Sequence, residues 1–285
     1  MQRRSNPAVP TIIRFGAATL LAIPMCLALL CAQVLAFEVQ CTLPFEEIKR
    51  DNPAVASCPL HGSATESEQQ GQNRAKNNLC ATGNSVNLTF QHFIRLQKAA
   101  EEAEIPFGSH NRVPEDRTVL NNLIAGPRGV RIGEGTIVRY VGFVSHPRYS
   151  NRSKGEAVNC KTGGAEHNDI HLDLVRSSNE PACKSITAEI IPHFRPAAWE
   201  VDILKLAQFK DHPMRFTGQL FFDASHRPCR NDSDKVAPKR ASIWEIHPVY
   251  AIDVCKFKSL NQCRASNRSV WTPLADMVNT EDDED

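Results

Sequence analysis

No CxxC pair, no HExxH pair and no GxSxG elbow occurs in the chain. Their absence removes the compact zinc knuckle, the helix-borne zinc hydrolase and the serine nucleophile on a strand-to-helix turn. Aromatic residues with a polar handle are scarce, at 3 Trp and 3 Tyr, and neither sign of charge dominates, with 33 Lys and Arg against 32 Asp and Glu. Tight nucleic-acid binding uses a basic surface that displaces counterions and aromatic rings that stack on bases, so this balance argues against it.

The N-terminus has a basic start at Arg3, Arg4 and Arg14, an apolar stretch from Phe15 to Leu35, and the small-x-small end Val34-Leu35-Ala36. This is the pattern of a signal peptide over residues 1–36, cleaved after Ala36. The stretch is long enough for an uncleaved anchor, but Pro24 interrupts it and the Val-x-Ala end favours removal. A lipid anchor needs a small residue before the modified Cys, whereas Cys26 follows Met25 and Cys31 follows Leu30. Cleavage takes three Arg and no acid from a net charge of +1, leaving −2, with no membrane span in the remainder. The expected location is the periplasm or the outside of the cell.

Eight cysteines remain: Cys41, Cys58, Cys80, Cys160, Cys183, Cys229, Cys255 and Cys263. An even set behind a signal peptide reads as a disulfide framework. Cys160 with Cys183, and Cys255 with Cys263, are the expected local pairs.

Residues 37–127 form a cysteine-containing N-terminal region. Its first part, through residue 80, is polar and irregular, including a Gln/Asn/Ser-rich stretch from Ser63 to Asn78, and is expected to be held by bridges rather than by a core. Thr89 then N-caps a helix, Phe90 to Ala103, with Phe90, Phe93, Ile94 and Gln97 on one face. From about residue 128, β-branched and aromatic residues come in short runs between turn clusters. Thr136 to Val144, Ile170 to Val175 and Ser185 to Ile191 read as strands. Pro196 opens a helix carrying Trp199, Ile203, Leu206 and Phe209, and strands Met214 to Phe222 and Ser242 to Val254 follow.

That order predicts a mainly β (α+β) fold. Residues 128–258 form an OB-like five-stranded Greek-key barrel with one helix between its third and fourth strands, beside the disulfide-linked, partly helical N-terminal region. Residues 259–285 are a C-terminal extension with the acidic tail Glu281 to Asp285. Gly126-Pro127-Arg128-Gly129 and Gly133-Glu134-Gly135 share only glycine content with phosphate loops and read as the turn before the first strand.

Acidic residues and histidines recur on these strands or at their ends. Asp169, His171 and Asp173 alternate with Ile170, Leu172 and Leu174; Glu189 precedes His193; Asp223 precedes His226; Glu245 and His247 alternate with Trp244 and Ile246. With the apolar set inside the barrel, the polar set shares its outer face. One reading makes His171, Glu189, His226 and His247 ligands of a divalent metal in a hydrolase, and the metal is the sole cofactor either reading implies. The other makes them half-exposed polar positions or a hydrogen-bonded network that fixes strand pairing.

The segments Asn168-Asp169-Ile170-His171, Glu189 through Pro196, Gly218 through His226 and Arg240 through Tyr250 resemble a pattern in uncharacterised exported bacterial proteins that have an OB-like domain with a WEIHP-type strand. The resemblance covers most of residues 130–255 and is most specific at Trp244-Glu245-Ile246-His247-Pro248. It implies a bacterial source and an OB-like barrel, and no activity or catalytic residue comes with it. The leading expectation is a non-enzymatic module that binds a ligand or an envelope partner, since OB barrels present a strand face and loops to such molecules. The metal-dependent hydrolase is the alternative, and a structural envelope protein is a third class.

Overall fold

The computed structural model of the chain describes residues 57–279, so the expected signal segment, Cys41 and the acidic tail lie outside the described residues. In chain order the elements are α1 (Ser67–Lys76), β1 (Val86–Asn87), α2 (Phe90–Glu102), β2 (Ile124–Ala125), β3 (Arg131–Ile132), β4 (Ile137–Val144) and β5 (Arg148–Tyr149). They continue with β6 (Ile170–Val175), β7 (Ile186–Ile190), α3 (Val201–Leu204), α4 (Ala207–Lys210), β8 (Met214–Phe222), β9 (Trp244–Cys255), β10 (Trp271–Pro273) and α5 (Leu274–Asn279).

Strands β4, β8, β9, β7 and β6 pair in that order, and β6 returns to β4 through Phe143 opposite Val175, closing a barrel. All neighbours are antiparallel except β7 and β9, which run parallel with Ala188 opposite Ile246. This is the pairing of an OB barrel, whose third and fifth strands are the parallel pair, and its five strands are those expected from the β-branched runs. The short strands β1 and β10 add to β4 and β9.

The β8–β9 ladder shifts register around Gly218. Pro248 has no N–H for the ladder, and its carbonyl turns into the space beside Gly218, where a Cβ would lie 2.4 Å from that oxygen. Glycine lets the two longest strands stay paired across the irregularity.

The barrel interior is apolar. Ile170, Leu172 and Leu174, Ile186, Ala188 and Ile190, Leu220 and Phe222, and Trp244 and Ile246 belong to one buried cluster. Phe93, Leu96 and Ala100 of α2 pack into it, as do Trp199, Val201, Leu204 and Phe209. The Thr89 N–H donates to His92 Nδ1 at 3.1 Å, so α2 starts at the expected cap. Its buried face is Phe93, Leu96, Gln97 and Ala100, rotated from the expected one, with Phe90 and Ile94 left half-buried.

Three expectations are corrected. The helix after Pro196 is broken into a 3-10 turn (Ala197–Trp199), α3 and α4, with Glu200 extended at ψ 153°. Glu200 is held there by Tyr149, whose hydroxyl donates to it at 2.7 Å, and by Arg195 at 3.0 Å. Leu206 turns outward, whereas Trp199 and Phe209 are buried as expected. Cys160 pairs with Cys58, and Cys183 with Cys229, rather than with each other; Cys255 with Cys263 is as expected. Nearness in sequence misled because Cys160, in the β5–β6 connection, faces the N-terminal region, while Cys183 faces the β8–β9 connection. Lastly, residues 63–78, expected to be irregular, contain α1. Among the described residues no helix is long and apolar enough to cross a membrane.

Candidate functional site

Two strand registers assemble the polar face. His171 of β6 lies opposite Glu189 of β7, and the parallel register of Ala188 with Ile246 carries Glu189 alongside His247 of β9. One residue past each apolar partner the side chains point outward, so His171, Glu189 and His247 form a row across three strands. His171 Nε2 is 3.0 Å from Glu189 Oε1, and His247 Nδ1 is 2.9 Å from Glu189 Oε2. Asp169 adds its Oδ2 at 3.8 Å from His247 Nε2, while its Oδ1 accepts from Asn159 Nδ2 at 2.9 Å.

The expectation of a half-exposed polar face is overturned: Asp169, Glu189, Glu245 and His247 have no exposed surface, and His171 keeps 7 %. The cover is the N-terminal region. Helix α1 buries Gln72, Asn73 and Lys76. Gln72 Oε1 accepts from the Ala224 N–H at 3.1 Å, and Gln219 Nε2 donates to the Ala75 and His247 carbonyls at 2.8 and 3.0 Å. The Tyr250 hydroxyl donates to the Asn78 carbonyl at 2.7 Å, and Cys58–Cys160 ties the start of the described chain to the β5–β6 connection. A polar helix is buried here because what it covers is polar.

Lys76 supplies the positive charge, with Nζ 3.8 Å from Glu189 Oε2. Burial would lower its pKa, but Glu189, Asp223, Glu156 and Asp169 outweigh it and the ammonium sits above its ordinary value. Burial raises Glu189 as well, yet His171, Lys76 and His247 hold it well below the usual carboxylate range. For Asp169 the compensation falls short: burial and the charges of Glu156 and Glu189 outweigh Lys76 and the Asn159 hydrogen bond and push its carboxyl well up. Burial lowers both His171 and His247, so both rings are neutral at pH 7 even though Glu189 favours the charged form.

A second knot lies alongside. Arg240, fully buried, contacts Glu245 through Nη1 and reaches Asp223 Oδ2 at 3.3 Å. His226 Nδ1 lies 2.5 Å from the same Asp223 oxygen. His226, Lys76 and Arg240 together overcome burial and hold Asp223 below its ordinary value. Of the four expected metal ligands, the structure therefore unites His171, Glu189 and His247 and places His226 in a separate pair with Asp223.

Several atoms of the row have close neighbours but no aligned hydrogen bond among the described residues: Asp169 Oδ2, both Glu189 oxygens, His171 Nε2 and both His247 nitrogens. Their contacts at 2.9–3.8 Å fall short of hydrogen-bond alignment. Each buried polar group left unsatisfied costs about 1–3 kcal/mol, so this concentration is expensive for a purely structural network.

Above the row opens a cleft of about 870 Å³. His171 reaches its wall, as do Lys76 from α1 and Asp223 with His226 from the β8–β9 connection. The β4–β6 connection brings Arg148, Lys154, Lys161 and Glu156. Lys76 and Arg240 were not legible as site residues; Arg240 stands just ahead of the Trp244–Pro248 run, but Lys76 belongs to a helix with no apolar face to announce it. No family model, curated protein or solved structure gives a significant match to the chain.

Proposed function

We propose that the chain is an exported binding module that takes a polar, anionic ligand in the cleft over its barrel. The observation that carries this reading is the position of the cleft. It lies on the barrel's second strand, β6, between the loop joining the first and second strands and the loop joining the fourth and fifth. That is the place where OB barrels receive oligosaccharides and other extended polar ligands.

The charge of the wall supports an anion. Lys76, Arg148, Lys154 and Lys161 face two carboxylates, Glu156 and Asp223. Arg148 is drawn to Asp173 at 3.0 Å, whereas Lys154 and Lys161 are exposed and have no ion-pair partner among the described residues. Among the described residues Tyr149 is the one Phe, Tyr or Trp on the wall, too little to stack a run of bases, so an acidic glycan or a phosphorylated small molecule fits better than a nucleic-acid strand. Three disulfides among the described residues and the signal-like N-terminus support an oxidising compartment as the place of work.

Titration calorimetry with inorganic phosphate, glucose 6-phosphate, a galacturonate oligomer and neutral glucose tests the reading. Binding of an anionic probe, its weakening by salt and by Lys154→Ala with Lys161→Ala, and no binding of glucose are expected. If no anionic probe binds, or the double variant binds as the wild type does, the cleft is not an anion site.

A further inference from the structure

We propose that Asp169, Glu189 and His247 form a binding site for a divalent transition-metal ion, sealed beneath the cleft. The site stands independently of what the cleft binds. One donor atom from each of the three residues lies within 4.8 Å of the others, and all three side chains are fully buried. Two ligands of one ion, each about 2.0–2.2 Å from it, can be at most about 4.4 Å apart. His247 Nε2 and Asp169 Oδ2, at 3.8 Å, are too distant for a hydrogen bond and within that span.

The neighbouring contacts orient the donors. Glu189 Oε2 faces His247 Nδ1 at 2.9 Å, which favours the tautomer with Nδ1 protonated and Nε2 free to ligate. His171 Nε2, at 3.0 Å from Glu189 Oε1, steadies the same carboxylate from the cleft side. Asn159 Nδ2 holds Asp169 Oδ1 and leaves Oδ2 turned toward His247. That Asp169 Oδ2, Glu189 Oε1 and His247 Nε2 lack aligned hydrogen bonds is the second, independent sign of a site. A cation among them would satisfy donors that the protein leaves unmet.

Two carboxylates with one imidazole are a mixed oxygen and nitrogen set, which selects manganese, iron or zinc over calcium or magnesium. Lys76 is the competitor. Its ammonium already lies 3.8 Å from Glu189 Oε2, so an entering ion meets a resident positive charge.

The test is titration of the purified, EDTA-treated protein with zinc and with manganese at pH 7.5, read by calorimetry and by the metal-dependent shift in Tm. One ion per chain should bind. Asp169→Asn and His247→Gln should each weaken binding at least about tenfold. Lys76→Met should tighten it by about tenfold through loss of the competing charge. His226→Gln should bind as the wild type does. Should His247→Gln fail to fold, Asp169→Asn and the wild-type Tm shift decide. No saturable binding of either ion, unaltered binding by Asp169→Asn, or loss of binding in His226→Gln would overturn the proposal.

Discussion

Glu189 Oε2 and His247 Nδ1 approach to 2.9 Å because β7 and β9, the one parallel pair in the barrel, are in register one residue earlier. The contact is therefore a product of topology. A slip of one residue in either strand would turn one of the two side chains into the apolar interior. The same registers fix which groups must share a water-free space, and the consequences are measurable.

Stability should fall as pH drops below about 6.5, the ordinary histidine value. His171 and His247 have folded-state pKa values lowered by burial, so below 6.5 the unfolded chain takes up protons that the folded chain refuses. Glu189 and Asp223, also lowered, add losses of the same sign only below the carboxylate range. Asp169, raised by burial and by Glu156 and Glu189, acts in the opposite sense and favours the folded state as it protonates. The groups facing the two imidazoles include Arg148 and Arg240 as well as Lys76 and Glu156, and burial outweighs the acids among them. Urea midpoints of EDTA-treated protein at pH 7.5, 6.5 and 5.5 should decline in that order. A flat profile would mean that the rings are not held neutral.

Opening the cover should also be costly. Cys58–Cys160 closes a loop with a sequence separation of 102 and fastens the N-terminal region over the polar row. Replacing both cysteines with Ser should lower stability by about 2–5 kcal/mol. Hydrogen exchange should rise in α1 and at β6 while β8 stays protected. Unchanged exchange in α1 would show that its polar contacts suffice without the bridge.

Trp199 packs edge-on to Phe194 with ring centroids 5.7 Å apart and is 5 % exposed. Trp199→Ala should cost about 3–5 kcal/mol in chemical denaturation, the usual range for emptying a large buried site. A loss below about 1 kcal/mol would place the ring outside the core, since surface changes rarely exceed half that.

The barrel was legible because its strands are short runs of Ile, Leu, Val and Phe with turn residues between them, and their order with one helical pattern specifies few topologies. The alternation at Asp169-Ile170-His171-Leu172-Asp173 also foretold which side chains point outward. It could not foretell that this face is covered. The cover, α1, reads Ser-Glu-Gln-Gln-Gly-Gln-Asn-Arg-Ala-Lys, which lacks the apolar periodicity by which a buried helix is recognised. Lys76 and the burial of the row were hidden for the same reason. The separation of His226 from the other histidines was hidden because strand register, which composition does not reveal, decides convergence.

Arg240 gives the sharpest electrostatic test. Its guanidinium is fully buried and its Nη1 faces both Glu245 and Asp223. Removing one member of a buried ion network leaves uncompensated charge, and Arg240→Leu should lower stability at pH 7 by about 3–5 kcal/mol. Glu245→Gln should cost less, because Arg240 keeps Asp223 and the amide oxygen can still accept from it. The two mechanisms of loss in Arg240→Leu differ in their response to acid. If the cost is packing, it is the same at pH 7 and pH 4.5. If it is stranded carboxylate charge, the folded-state pKa of Asp223 rises in the variant, the folded protein takes up protons as pH falls, and the deficit against the wild type shrinks. The expected result is a smaller deficit at pH 4.5 in urea titrations of both proteins. An equal deficit at the two pH values would assign Arg240 to packing and leave Asp223 to be neutralised by Lys76 and His226.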